Sequence, residues 1–304
     1  MLTGGIGYTY SLGSVQTDPT LSFNNNNLPL TQINLSAYPY TPNASGYGGK
    51  GGLIVPALDI WKVATGFKGR RADANGVPQP IVSSAKCNAC HVALGVGPDF
   101  HAGQRNDPTS CNFCHKPNQT SSAWSANQKD FVHSIHGAEK RGTAFTWHET
   151  SLIEGYWQVT YPAVLNKCEM CPLPGTYDFS STATTNALPN MLPSTVGQGT
   201  YAAGGVHSPY VTEGVSYGAG FSFNALTGAS AEAANTTLIV TPIMAACSAC
   251  HDSPAAVDHM QTNGGSFWES RAAAAAKQQG EQCLICHGPN RVAAISLVHS
   301  DKTP

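Results

Sequence analysis

Ten cysteines fall without remainder into five Cys-x-x-Cys pairs: Cys87/Cys90, Cys111/Cys114, Cys168/Cys171, Cys247/Cys250 and Cys283/Cys286. Four of the pairs run directly into histidine, giving CNACH (ending at His91), CNFCH (His115), CSACH (His251) and CLICH (His287), whereas the remaining one reads CEMCP and ends at Pro172. The spacing has a mechanical meaning. On one helical turn, cysteines three apart project to the same side, where they meet the two vinyl groups of a porphyrin, and the next residue places imidazole beneath the iron. Disulfides between neighbours or Cys-rich zinc clusters would account for cysteine pairs, but not for a histidine directly after four of them. The pattern therefore implies four covalently attached c-type haems, with a fifth expected at Cys168/Cys171.

A haem iron held by two imidazoles needs a second histidine from elsewhere in the chain. Outside the motifs stand His101, His133, His136, His148, His207, His259 and His299. This supply covers four distal ligands, or five together with one replacement for the histidine missing at Pro172. His133 and His136 lie in DFVHSIHGAEK, an apolar-periodic stretch that reads as a helical turn closed by Gly137. At this spacing both face the same side, while two ligands of one iron must approach from opposite porphyrin faces. The pair is thus expected to serve two different haems and to bridge them.

The 304 residues allow one large domain or two modest ones. Charged residues make up 11% of the chain and the net charge is -2, against about 25% charged residues in an average domain. No basic stripe is present, which argues against a nucleic-acid partner. No apolar run reaches about 18 residues, and the opening MLTGGIGYTY lacks the features of a signal peptide. Thioether attachment of haem takes place outside the cytoplasm, so an exported protein is expected, its signal peptide removed and not present in this chain.

Residues 1–85 contain no cysteine or histidine. Their Gly, Asn, Tyr and Pro content reads as loops with short strands such as IGYTYSLG and LTQINLSAY. Residues 86–304 form the multihaem module, interrupted by a long Thr-, Ser-, Ala- and Gly-rich insertion at 173–240 that reads as loops held by cofactors. The expected fold is a multihaem c-type cytochrome: mostly coil with short helices, a haem-packed core, and short β-strands in the N-terminal part. Helices are expected at the motifs, around FVHSIH and in SFWESRAAAAAKQQGEQC. Trp61, Trp124, Trp147, Trp157 and Trp268 read as packing against haem edges. Arg70, Arg71, Lys86, Arg105, Lys116, Lys140, Arg141, Lys167 and Arg291 are candidate partners for haem propionates, with solvated positions as the ordinary alternative.

The run CNACHVALGVGPDFHAGQRNDPTSCNFCH, followed by DFVHSIHG, VTYPAVLNKCEMCPLPGTYDF, AACSACHDSPAAVDHM and EQCLICHGPNRVAAISLVH, resembles the pentahaem module of the OmcA/MtrC family of outer-surface multihaem cytochromes. The resemblance covers residues 86 to 300. It implies extracellular electron transfer, with redox proteins or extracellular acceptors as partners. It also implies distal-ligand roles for His101, His133, His136, His259 and His299. Pro172 is the departure, since the family pattern has histidine there. Proline lacks an amide hydrogen and biases Cys171 away from helical geometry. Three outcomes stay open at this pair. A haem is attached and ligated by His136 with a recruited His207 or His148; or a five-coordinate haem binds small molecules; or the cysteines form a disulfide and hold no haem. Attached haem is the preferred expectation.

Iron with histidine on both faces offers no position to substrate, so it can only exchange electrons. A non-enzymatic electron carrier is the resulting expectation. Two alternatives accompany it: a multihaem reductase with one open iron at Cys168/Cys171, and a subunit of a conducting filament built as a homopolymer.

Overall fold

A computed structural model describes residues 40–41, 52–53, 81–91, 94, 108, 111, 114–153, 155–179, 192–223 and 230–299. The chain packs as two compact units, Met1–Phe113 and Cys114–Pro304. The break therefore falls inside the second cysteine pair.

In the first unit, strands β1 (Tyr40–Thr41) and β2 (Gly52–Leu53) pair antiparallel, with Tyr40 opposite Leu53. Helix α1 (Ser84–His91) carries the whole first motif. Ser83 starts it by accepting the amides of Lys86 and Cys87 through its carbonyl at 3.2 and 3.3 Å. The expected strands IGYTYSLG and LTQINLSAY lie outside the described residues, as do His101, Trp61, Arg70, Arg71 and Arg105.

In the second unit, a short hairpin pairs β3 (Thr120–Ser121) with β4 (Trp124–Ser125). Its two turn residues, Ser122 and Ala123, both hold positive φ (51° and 58°). That is the mirror-image turn whose twist matches the strands, and glycine would adopt it at lower cost. Tertiary contacts hold it, since the Trp268 indole N–H donates to the Ala123 carbonyl at 3.0 Å. Helix α2 (Gln128–His136) follows, and the Gly137 amide closes it on the His133 carbonyl at 2.7 Å.

The insertion at 173–240 departs from the expectation of cofactor-held loops. It supplies β5 (Ser194–Gly197), a hairpin of β6 (Ser222–Phe223) and β7 (Ser230–Ala231), and β8 (Leu238–Val240). β8 is the middle of a three-stranded antiparallel sheet between β5 and β9 (Glu269–Ser270). The Leu-Ile-Val run is buried on both faces, as expected of a central strand. The loops between strands close tightly: a Cβ on Gly218, at φ +75°, would lie 2.6 Å from both Ala234 Cβ and Thr236 Oγ1.

The remaining helices are α3 (Pro242–Cys247), α4 (Pro254–Thr262), α5 (Arg271–Ala276), α6 (Leu284–His287) and α7 (Ile295–Val298). The helix expected over the alanine run is only six residues long. Ser270 caps it by accepting from the Ala273 amide, and it stops at Lys277, whose ammonium is drawn to Glu269 and the Gly265 carbonyl, both at 2.7 Å. Helix propensity loses there to tertiary contacts.

Side chains also build a core that the expectation of haem packing did not include. One cluster joins Val196, Val211, Leu238, Val240, Met244, Ala245 and Met260. A second joins Trp124, Ala126, Phe145 and Trp147, with Trp268 packed against both clusters. Trp124 meets Phe145 and Trp268 edge-on, with ring centroids 5.1 and 5.4 Å apart. These tryptophans thus pack on one another. Burying each large apolar side chain here contributes about 1.5–3 kcal/mol.

Candidate functional site

Backbone bonds give the motifs their shape. In the fourth, the Cys250 and His251 amides donate to the Cys247 carbonyl at 3.2 and 2.8 Å. In the fifth, Cys286 and His287 do the same to Cys283 at 3.3 and 2.9 Å. Each is a single helical turn that sets two thiols on one side and brings imidazole next in line. In the second motif, Cys114 and His115 belong to the second unit. The third pair differs: Cys168–Met170 is one 3-10 turn, the Cys171 amide donates to the Cys168 carbonyl at 3.1 Å, and Cys171 leaves helical geometry at φ -122°, ψ -60°. Pro172 has no N–H with which to close the longer turn.

Cys90 lies in the last turn of helix α1. It is exposed, on a helix α1 that buries none of its residues, and Cys114 and Cys286 are exposed as well. The first cysteines of these three pairs, Cys87, Cys111 and Cys283, are half-buried. A thiol that is to bond a vinyl carbon has to stand where a porphyrin can reach it, so exposure at Cys90 is compatible with its expected role in attachment. No disulfide joins any of the ten cysteines, Cys168 and Cys171 included.

Histidines distant in sequence meet in pairs. The rings of His251 and His299 have centroids 6.0 Å apart at an interplanar angle of 81°, and those of His259 and His287 are 6.3 Å apart at 87°. Two imidazoles sharing one metal, with bonds of about 2.0–2.1 Å, hold their centroids roughly 6.3 Å apart. Both pairs fit that span, and each joins one motif histidine to one from elsewhere. Among the described residues, no three or more of His, Cys, Asp and Glu converge as a metal donor set. A porphyrin brings its own equatorial donors, so two facing imidazoles are what its iron requires of the protein.

Second partners orient several of these rings. His287 Nδ1–H donates to the Ala293 carbonyl at 2.9 Å, His115 Nδ1–H to Ala126 at 3.2 Å, and His136 Nδ1–H to Val132 at 2.8 Å. Each bond selects the tautomer in which Nε2 is the basic, ligating nitrogen. His115 also packs on Phe131 at 4.6 Å and so joins the aromatic core. His133 and His136 share α2, and the His136 ring sits edge-on to Tyr161 at 5.7 Å. His299 is held below the ordinary histidine pKa, first by burial and then by His251 and His287 nearby.

His207 and His148 spend their contacts elsewhere. His207 Nδ1–H donates to the Ser208 carbonyl at 3.0 Å and its Nε2 lies 3.3 Å from the Glu213 carboxylate. His148 is exposed at φ 63°, with Nδ1 3.4 Å from Ser121 Oγ. Arg141, read as a candidate propionate partner, is instead buried beside Asp252, with Nη2 3.5 Å from Oδ2. Lys140 pairs with Glu139 at the surface, 3.0 Å away.

The first thiols of the third, fourth and fifth pairs are not poised as thiolates. Burial pushes Cys247 up to about 12, and it pushes Cys168 and Cys283 up to about 11. Zinc ligation or nucleophilic use requires the opposite shift, whereas a neutral thioether sulfur suits burial. Cys168 is raised further by Cys250, and Cys247 by Cys283, so the fourth pair is electrostatic neighbour to both the third and the fifth. Apolar side chains left exposed gather at the same places: Leu284, Ile285, Val292, Leu297 and Val298 around the fifth motif and His299, and Val164 and Met170 by the third pair. A porphyrin face is the kind of surface they would cover. Glu281, which binds the start of α3, had no signal in the sequence beyond lying two residues ahead of Cys283.

Repeated attachment turns, histidines facing across the span of an iron, and short helices with small antiparallel sheets define a multihaem cytochrome. Residues 79–300 match the family model described as outer membrane cytochrome MtrC/MtrF-like, domains II/IV, and the chain belongs to that OmcA/MtrC family. No curated protein matches the chain. The family carries c-type haem and serves electron transfer at the outer surface of the cell. Among the described residues, no helix is long and apolar enough to cross a membrane.

Proposed function

We propose that this chain conducts electrons through five c-type haems, attached at Cys87/Cys90, Cys111/Cys114, Cys168/Cys171, Cys247/Cys250 and Cys283/Cys286. His91, His115, His251 and His287 serve as proximal ligands. The observation that carries the reading is the facing of His251 with His299 and of His259 with His287. On that basis His299 completes the fourth iron and His259 the fifth. His101, His133 and His136 remain for the first three, with His133 and His136 assigned to different haems, and the third, which has no motif histidine at Pro172, recruits His207 or His148 as its other ligand. Haem, when bound, supplies a one-electron couple, and two histidine ligands keep its potential low relative to Met/His ligation. The protein's part is to hold imidazole on both faces, exclude substrate from iron, and keep neighbouring sites close. Residues 1–85, which bind no haem covalently, precede the module at 86–304. Redox proteins or extracellular acceptors would receive the electrons, and export would use a signal peptide removed from the mature protein.

The test is haem stoichiometry together with ligation. A pyridine haemochrome assay against protein mass is expected to give five haems per chain, and a value of four would remove the site at Cys168/Cys171. The low-spin electron paramagnetic resonance of bis-histidine iron should weaken by the share of one haem in His299→Ala and in His259→Ala. A second reading is favoured specifically by the broken turn at Pro172: an iron with one open position there, in a reductase. Carbon monoxide binding to the reduced protein separates the two, because iron saturated by two histidines does not respond.

A further inference from the structure

The fourth attachment turn is gripped at both ends by charged side chains from the segments that carry the other ligands. At its start, the Ile243 and Met244 amides donate to Glu281 Oε2 and Oε1 at 2.9 and 2.7 Å, and Glu281 stands just ahead of Cys283. Lys129, in the first turn of α2, donates its ammonium to the Pro242 carbonyl at 2.6 Å. At its end, Arg141 Nη1 donates to the carbonyls of Ser248 and Ala249, the two residues between Cys247 and Cys250, at 3.2 and 2.8 Å. Arg141 faces Asp252 directly after His251, and Asp252 Oδ1 and Oδ2 accept the Gly142 and Thr143 amides at 2.8 and 3.0 Å. The side chains of Arg141 and Asp252 are 3% and 2% exposed. Where α2 ends, a Cβ on Gly137 would come within 2.7 Å of Cys250 Sγ, so helix and cysteine are in the closest contact that glycine permits.

We infer that α3 with Arg141, Asp252 and Glu281 is a splint that sets the spacing between ligand helix α2, the fourth attachment turn and the fifth. Arg141 and Glu281 are then positioning residues for electron transfer among these sites. The inference rests on the attached haems proposed above. The transfer moves one electron from a reduced site to an oxidised one and makes or breaks no bond, so geometry is what the protein contributes. Buried ion pairs add little net stability over well-packed apolar residues. What they add here is direction: three separate segments are tied to named backbone atoms of one turn.

The haem-loaded full chain tests this. Glu281→Gln removes one carboxylate acceptor at nearly constant shape, Arg141→Met removes the donors to Ser248 and Ala249, and Arg141→Lys restores charge without the fork. Electron equilibration after photoreduction is expected to slow about tenfold in Glu281→Gln and Arg141→Met, the scale of a sub-ångström misplacement. Lysine should rescue part of the loss, and the low-spin g-values of the affected haems should shift while haem count stays at the parent value. Unchanged rates and g-values in Glu281→Gln and in the Arg141 variants would overturn the splint. If Arg141→Met fails to fold, Glu281→Gln and Arg141→Lys decide alone. Parent protein whose Cys247–His251 and Cys283–His287 peptides carry no haem mass would instead overturn the electron-transfer reading, and the splint with it.

Discussion

The turns at Cys247 and at Cys168 begin alike and end differently. Both open with a half-buried thiol whose pKa is raised, and the two turns are close enough for Cys250 to act on Cys168. In the fourth motif the chain continues past the second cysteine, because the His251 amide reaches back to Cys247. It also rests on buried Ile243, Met244 and Ala245. In the third, Pro172 offers no amide, the turn stops at Cys171, and none of Cys168–Met170 is fully buried. The difference separates two requirements that the motif normally fuses. Attachment needs two thiols on one side, which a short turn can provide. Ligation needs the following residue, which only a continued turn delivers.

The strongest way to break this comparison is to remove each cysteine pair in turn. Cys247→Ala with Cys250→Ala should abolish soluble holoprotein, because Cys247 packs against the central cluster. Cys168→Ala with Cys171→Ala should lose one haem per chain and keep the remaining spectrum, as read by haemochrome assay and mass. Pro172→His should sharpen it from the other side. Any carbon monoxide response of the reduced protein should disappear as low-spin iron is gained.

Asp252→Asn leaves Arg141 buried against a neutral partner and should cost about 3–5 kcal/mol in denaturant unfolding. Met244→Ala, at a side chain fully buried beneath the fourth turn, should cost about 2–5 kcal/mol. Its counterpart at the third pair, Met170→Ala, is 36% exposed and should stay within about 0.5 kcal/mol. Between these, Ser253→Ala removes the cap that accepts the Ala256 amide at the start of α4. It should cost about 0.5–2 kcal/mol and leave the spectrum of the haem proposed to take His259 unchanged.

Some of this was legible in the residues. DFVHSIHG reads as a helix closed by glycine and is one, because its signals lie within two turns of chain. Pro172 announces its broken turn for the same reason. The insertion at 173–240 was not legible: its strands are two to four residues long, and β8 becomes central only when β5 and β9 arrive on either side. The exposure of Cys90 was not legible either, since the motif is the same five-residue pattern whether its second thiol faces inward or outward. Arg141 looked like any cation free to meet a propionate, since nothing nearby in sequence signals Asp252 as its partner. The bonds from Glu281 to α3 span 37 and 38 residues and leave no periodic trace.

From its order of residues alone, this protein declares where its cysteine pairs stand, which of them lacks a following histidine, and how many histidines are available, because Cys-x-x-Cys spacing and proline's missing amide act within a single turn. Which histidines face each other, and which charges hold the fourth turn, follow only once distant segments close on one another. Those contacts depend on the whole packed unit, since each repays its loop-closure entropy only with the others in place.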